Sequence, residues 1–77
     1  MKTVLIGGPR DGVEVELPAG RSYLRIPLHD GVAMYRLATL SLAGTPICGV
    51  LVWEGARVTR EAAVRAIGRL YLAGALQ

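Results

Sequence analysis

Glycine and proline cut this chain into short pieces for more than half its length. Breakers stand at Gly7-Gly8-Pro9, Gly12, Pro18, Gly20, Pro27, Gly31, Gly44, Pro46 and Gly49. Most of the intervals between them are too short for a packed helix and read as strands joined by tight turns. Thr3 to Ile6 is a β-favouring run that ends at Gly7-Gly8-Pro9-Arg10-Asp11-Gly12, where glycines supply positive φ and Pro9 fixes a turn. Val13-Glu14-Val15-Glu16-Leu17 then alternates strictly, with Val13, Val15 and Leu17 on one face and both glutamates on the other. These two runs form an expected hairpin. Tyr23 to Leu28 follows with Leu24, Ile26 and Leu28 inward, and Pro27, which has no ladder donor, assigns it to a sheet edge.

His29-Asp30-Gly31 is a turn signal, and Ala33 to Leu42 is extended beyond it. Met34, Arg36, Ala38, Leu40 and Leu42 lie on one side of that run and Tyr35, Leu37, Thr39 and Ser41 on the other. Neither side is purely apolar, which points to a bulge near Ala38. After Ala43-Gly44-Thr45-Pro46, Ile47 to Trp53 is apolar at nearly every position, the pattern of a central strand covered on both faces. The cover for its second face is the C-terminal segment. Thr59 is a good N-cap, Glu61 lies in the first turn and Gly74 is placed to stop a helix about 22 Å long. Val64, Ile67 and Tyr71, with Ala63 and Leu70 beside them, are at helical spacing on its expected buried face, and Gly68 is expected to permit close approach to the sheet. The predicted fold is a single α+β domain over residues 1–77. A small antiparallel β-sheet of about five strands, a meander or half-barrel over 1–55, is packed by one C-terminal α-helix over 58–74.

Composition narrows the class. With 52% hydrophobic and 19% charged residues and a mean hydropathy of +0.40, the chain is too apolar for intrinsic disorder. A chain of 77 residues buries only roughly 60% of its unfolded surface, so oligomerisation is a natural supplement to its core. Lone Cys48 makes no internal disulfide, and no apolar run approaches the ~20 residues that span a bilayer. The expectation is a cytosolic protein with no membrane partner.

The residues that could carry chemistry are few. A phosphate-binding glycine loop needs a Lys-Ser or Lys-Thr pair and a following helix, whereas a strand follows Gly7 to Gly12; Gly7, Gly8, Pro9, Asp11 and Gly12 therefore read as a structural turn with Asp11 bonding nearby amides. His29 and Asp30 are neighbours in a turn, and Cys48 lies in the most apolar segment, where burial raises a thiol's pKa. One His and one Cys give no spaced metal-ligand set. No catalytic, cofactor-binding or metal-binding residue is assigned, and the chain is expected not to be an enzyme.

Charge is more informative. Residues 39–54 carry only Glu54, while residues 55–77 carry Arg57, Arg60, Arg65 and Arg69 against Glu61. Arg65 and Arg69, at i and i+4, share a helix face that could track phosphates, with Arg57 and Arg60 near the helix start. The same spacing also describes an ordinary solvated face with a Glu61 to Arg65 pair. Trp53 at a strand end and Tyr23 on the edge strand join these arginines as candidate partner-binding residues, because Trp, Tyr and Arg dominate interface hot spots.

Several of these motifs resemble those of a group of short, largely uncharacterised bacteriophage and prophage proteins. The group's pattern is a first strand running into Gly-Gly-Pro-x-Asp-Gly, then Val-x-Leu-Pro, a Tyr-Arg-Leu strand and a final apolar strand closed by Glu-Gly. Val4 to Gly12, Val15 to Pro18, Tyr35 to Leu37 and Val50 to Gly55 match it, so the likeness covers roughly the first 55 residues. The helical tail from Thr59 departs from it. The resemblance implies a phage or prophage origin, in the bacterial host cytosol, and no catalytic residue. The expected role is a small protein-binding module acting on a host defence or regulatory protein. A minor head or tail component of the virion and a nucleic-acid binder through the arginine-rich helix are the alternatives, and a homo-oligomer is compatible with each.

Overall fold

A computed structural model describes residues 1–76. The strands are β1 (Lys2–Ile6), β2 (Glu14–Glu16), β3 (Tyr23–Leu28), β4 (Gly31–Leu42) and β5 (Thr45–Trp53), with a single 3₁₀ turn over Gly8–Arg10 and one helix, α1 (Arg60–Leu72). They form a five-stranded sheet in the order β2-β1-β5-β4-β3, curled into a half-barrel with α1 packed on one side. The α+β class, the strand count and the helix agree with the sequence reading. One junction refines it: β1 and β5 pair in parallel, Leu5 opposite Leu51 and Ile6 opposite Val52, so the sheet is mixed. Only β3-β4-β5 runs as a meander. The first hairpin docks beside β5 instead of β3, which places β1, buried at every position from Thr3 to Ile6, near the centre of the sheet where both faces are covered.

The two sides are built differently. On the helix side Val4, Ile6, Leu40 and Val50 meet Ala66 and Leu70, with Ala62, Ala63 and Ile67 packed around them. On the concave side the curled sheet covers itself, and Leu5, Leu17, Ala33, Tyr35 and Leu51 are capped by Val15, Leu24, Ile26 and Leu28 from the outer strands. Thr3, fully buried, satisfies its hydroxyl by donating to the Gly49 carbonyl at 2.8 Å.

Several local expectations move. The irregularity of the β4-β5 ladder falls between Leu40 and Ser41, not near Ala38, and the extra residue lies on β5: Leu40 pairs with Cys48 and Ser41 with Pro46, which leaves Ile47 unpaired close to the Ala43-Gly44 turn. Strand β5 is fully buried only at Val50 and Leu51; Cys48 and Gly49 are partly covered, and Thr45 to Ile47 lie exposed. Val13 lies exposed ahead of β2. Thr59 does cap the helix, accepting the Ala62 amide at 3.1 Å, and Gly74 at φ 74° ends it, bonding back to Tyr71. The buried face of α1 is Ala66 and Leu70 with Ala62, Ala63 and Ile67 beside them, so the expected Ala63, Ile67 and Leu70 do pack inward. Val64 and Tyr71 point to solvent, and nothing lies within 4 Å of the place a Cβ on Gly68 would occupy, so Gly68 faces outward and not the sheet. Small side chains win the inner face because they let the helix axis come close to the sheet.

Candidate functional site

The glycine loop is built as a clasp. Asp11 Oδ1 accepts the Gly7 amide at 2.7 Å, and the Gly12 amide returns to the Leu5 carbonyl at 2.8 Å. Buried Tyr35 reaches across from β4, its hydroxyl donating to the Gly7 carbonyl at 2.8 Å and accepting the Arg10 amide at 3.1 Å. Gly8, at φ 68°, lies flat on the indole of Trp53, where an added Cβ would stand 2.5 Å from the ring. Pro9 occupies the first turn of the 3₁₀ segment. Trp53 is thus a wall for the loop, with 39% of its surface left in water.

The arginines divide into groups. Arg57 lies in the exposed connection after β5 and Arg60 opens the helix. Arg65 and Arg69 run down the flank of α1 that faces the loop, lining a cleft with Ile6, Asp11, Gly12 and Ala62. The Arg69 guanidinium comes within 3.8 Å of where a Cβ on Gly12 would stand. No ion pair joins Glu61 to Arg65; among the described residues the single ion pair is the N-terminal ammonium with Glu16 at 3.4 Å. The outward face of α1 between these cations carries Glu61 beside Val64 and is otherwise apolar. Val64, Tyr71 and Leu72 are 64%, 69% and 85% exposed, and Gly68 leaves a bare notch between them.

Tyr23 stands on β3 at the sheet edge, with the Arg21 guanidinium 5.1 Å from its ring centroid. Cross-strand register places Arg36 opposite Tyr23 and Arg25 opposite Met34, on the side of the sheet that carries the helix. Arg21, Tyr23, Arg25 and Arg36 therefore make a short basic row around one aromatic ring. Sequence reading missed this row, although Arg21, Tyr23 and Arg25 alternate at the strand period and would share a face. Only the β4 register brings Arg36 to it.

His29 and Asp30 form the exposed two-residue turn between β3 and β4. Cys48 packs against the helix-side core, and burial pushes its thiol pKa up. Among the described residues no three His, Cys, Asp or Glu side chains gather where they could hold a metal ion. Among the described residues no helix is long and apolar enough to cross a membrane. Comparison with protein-family models, with curated proteins and with solved structures found no match.

Proposed function

We propose that the chain is a non-enzymatic protein-binding module of phage or prophage origin that docks α1 onto a host protein, of the defence or regulatory kind, in the bacterial cytosol. The observation that carries this reading is the outer face of the helix. An apolar centre of Val64, Tyr71 and Leu72 around the Gly68 notch is bordered by Arg60, Arg65 and Arg69, with Glu61 the one acidic group among them. A core of exposed apolar groups inside a charged rim is the anatomy of a protein interface, with Tyr and Arg as its anchors. Phosphates would need the arginines but not Val64 or Leu72, which makes a protein with an apolar patch ringed by carboxylates the better fit.

The experiment is capture from nuclease-treated host lysate with wild type, Tyr71→Ala, Val64→Ser and the double variant Arg65→Glu/Arg69→Glu, each checked for an unchanged circular dichroism spectrum. The reading expects one stoichiometric protein, retained by wild type and lost with Tyr71→Ala. Retention unchanged by Tyr71→Ala and Val64→Ser removes the helix from the interface. Binding to single-stranded nucleic acid that falls steeply with salt, and that depends on Arg21, Arg25 and Arg36, would replace the protein partner by a phosphate backbone. A minor virion component is the second reading, favoured by the two open edges of the sheet; it predicts the chain in purified particles.

A further inference from the structure

The sheet ends in two unpaired edges, and backbone bonding fixes which groups they offer. On β2 the Leu5 amide bonds the Val13 carbonyl and the Leu17 amide bonds the Met1 carbonyl. In an antiparallel pair the bonded residues alternate, so Glu14 and Glu16 turn their own N–H and C=O groups away from β1, to the free edge. On β3 the Leu37 amide bonds the Ser22 carbonyl. By the same alternation Tyr23, Arg25 and Pro27 face outward, and Pro27 lacks its donor at a place where the internal ladder does not need one.

The edges carry opposite charge on the same side of the sheet. Glu14 and Glu16 stand opposite Val4 and Lys2, and Val4 belongs to the helix-side core. Tyr23 stands opposite Arg36, which is opposite Val52 of the same side. Strand directions agree as well: β1, β5 and β3 run one way and β2 and β4 the other. A second copy placed beyond β3 with the same side facing up therefore brings its β2 antiparallel to β3.

We propose that copies of this chain associate edge to edge, β3 of one against β2 of the next, with Tyr23 opposite Glu16 and Arg25 opposite Glu14. This register is singled out by the backbone. Sliding β2 one pair towards the hairpin turn sets Glu14 against Pro27, which has no N–H; sliding it the other way uses the Arg21 amide, already bonded to the Pro18 carbonyl. In the proposed register all outward donors and acceptors of the four residues are paired, and the Arg25 and Glu14 side chains meet on one face. Glu16, 3.4 Å from the N-terminal ammonium, keeps most of its surface exposed and can face Tyr23 and the adjacent Arg21. Like edges repel, acid against acid and base against base, so the charges that block symmetric pairing direct the head-to-tail one. Such a contact is heterologous and builds rings or open chains.

The test is sedimentation or light scattering of the full chain over a wide concentration range at low and high salt. Wild type is expected to associate reversibly, at least tenfold more weakly in high salt. Glu14→Lys/Glu16→Lys, whose edges are both basic, and Arg21→Glu/Arg25→Glu, whose edges are both acidic, are each expected to stay monomeric and to associate when mixed. All four substituted positions are exposed, and circular dichroism of each variant checks the fold. A wild type that is monomeric throughout overturns the proposal, as does a mixture that fails to associate. Association abolished by Tyr71→Ala but untouched by the edge variants assigns it to the helix face instead; loss of host-protein capture alone leaves the edge contact standing.

Discussion

The concave and helix sides of this sheet solve the same burial problem with opposite materials. The concave side is closed by one large polar-tipped residue, Tyr35, whose ring fills the core while its hydroxyl ties β4 to the Gly7 to Arg10 loop through two hydrogen bonds. The helix side is closed mainly by alanines, with Leu70 the one large helical side chain fully buried and Ile67 partly buried beside it. A narrow strip of small side chains lets α1 lie close but leaves Val64, Tyr71 and Leu72 outside. The lesson is a division of labour: the concave side holds the half-barrel together, and the helix is attached economically so that most of its surface faces outward.

That comparison predicts unequal responses to mutation. Tyr35→Ala is expected to cost about 3–5 kcal/mol, the range for losing a buried aromatic ring, and to leave little folded protein. Tyr35→Phe isolates the clasp, at about 1 kcal/mol for its hydroxyl's hydrogen bonds. Urea unfolding measures both. If Leu70→Ala proves more damaging than Tyr35→Ala, the helix and not the concave core holds the domain together, and the comparison is inverted. Gly8→Ala comes next. The left-handed backbone alone costs an L-residue about 1–2 kcal/mol, and the new methyl must displace the indole it would meet at 2.5 Å. A lower unfolding midpoint with a shifted Trp53 emission is the expected pair of readouts; unshifted emission would mean that the loop moves and the wall does not.

How much of this could be read from the residues depends on the range of the interaction. Turn glycines, the Thr59 cap, the Gly74 stop and the inward row of β3 are set by neighbours a few positions away, and the sequence periodicity locates them. The parallel junction between β1 and β5 joins residues more than forty apart and depends on which strands are apolar enough for the sheet centre, a competition that no local pattern states. The helix face is rotated from the expected one for a related reason: Ala63, Ile67 and Leu70 pack inward as the periodicity expects, but the sheet centres its contact on Ala66, so Val64 and Tyr71 are left outside. The partner-binding candidates Arg65 and Arg69 were visible as a pair, whereas the Tyr23 row needed the register that brings in Arg36.

Gly68 sharpens the contrast between the inner and outer faces of one helix. Glycine in a helix interior is about 1 kcal/mol worse than alanine, and nothing crowds this one. Gly68→Ala is therefore expected to raise stability by about 0.5–1 kcal/mol in urea unfolding. A helix that used Gly68 to approach the sheet would lose stability instead. Should the proposed partner seat a side chain in the notch, the same stabilised variant binds it more weakly, which separates a reason of function from one of folding.

The smallest effect tests how tightly the helix side is sealed near the end of α1. Cys48 packs there beside Leu70 and Leu76, and burial raises its thiol pKa. A raised folded pKa means that folding favours the protonated thiol. Its stabilising contribution is complete below the ordinary thiol range, near pH ~8.5, and is lost as pH rises from there through the higher folded value. Other groups titrate in the same region, so the informative quantity is the stability of wild type minus that of Cys48→Ala, taken from urea unfolding at neutral pH and again well above the ordinary thiol range. The difference should shrink on going alkaline. A difference that stays constant would mean that the thiol ionises as freely as in the unfolded chain, and the alanine-lined side would then be open to water where the helix ends.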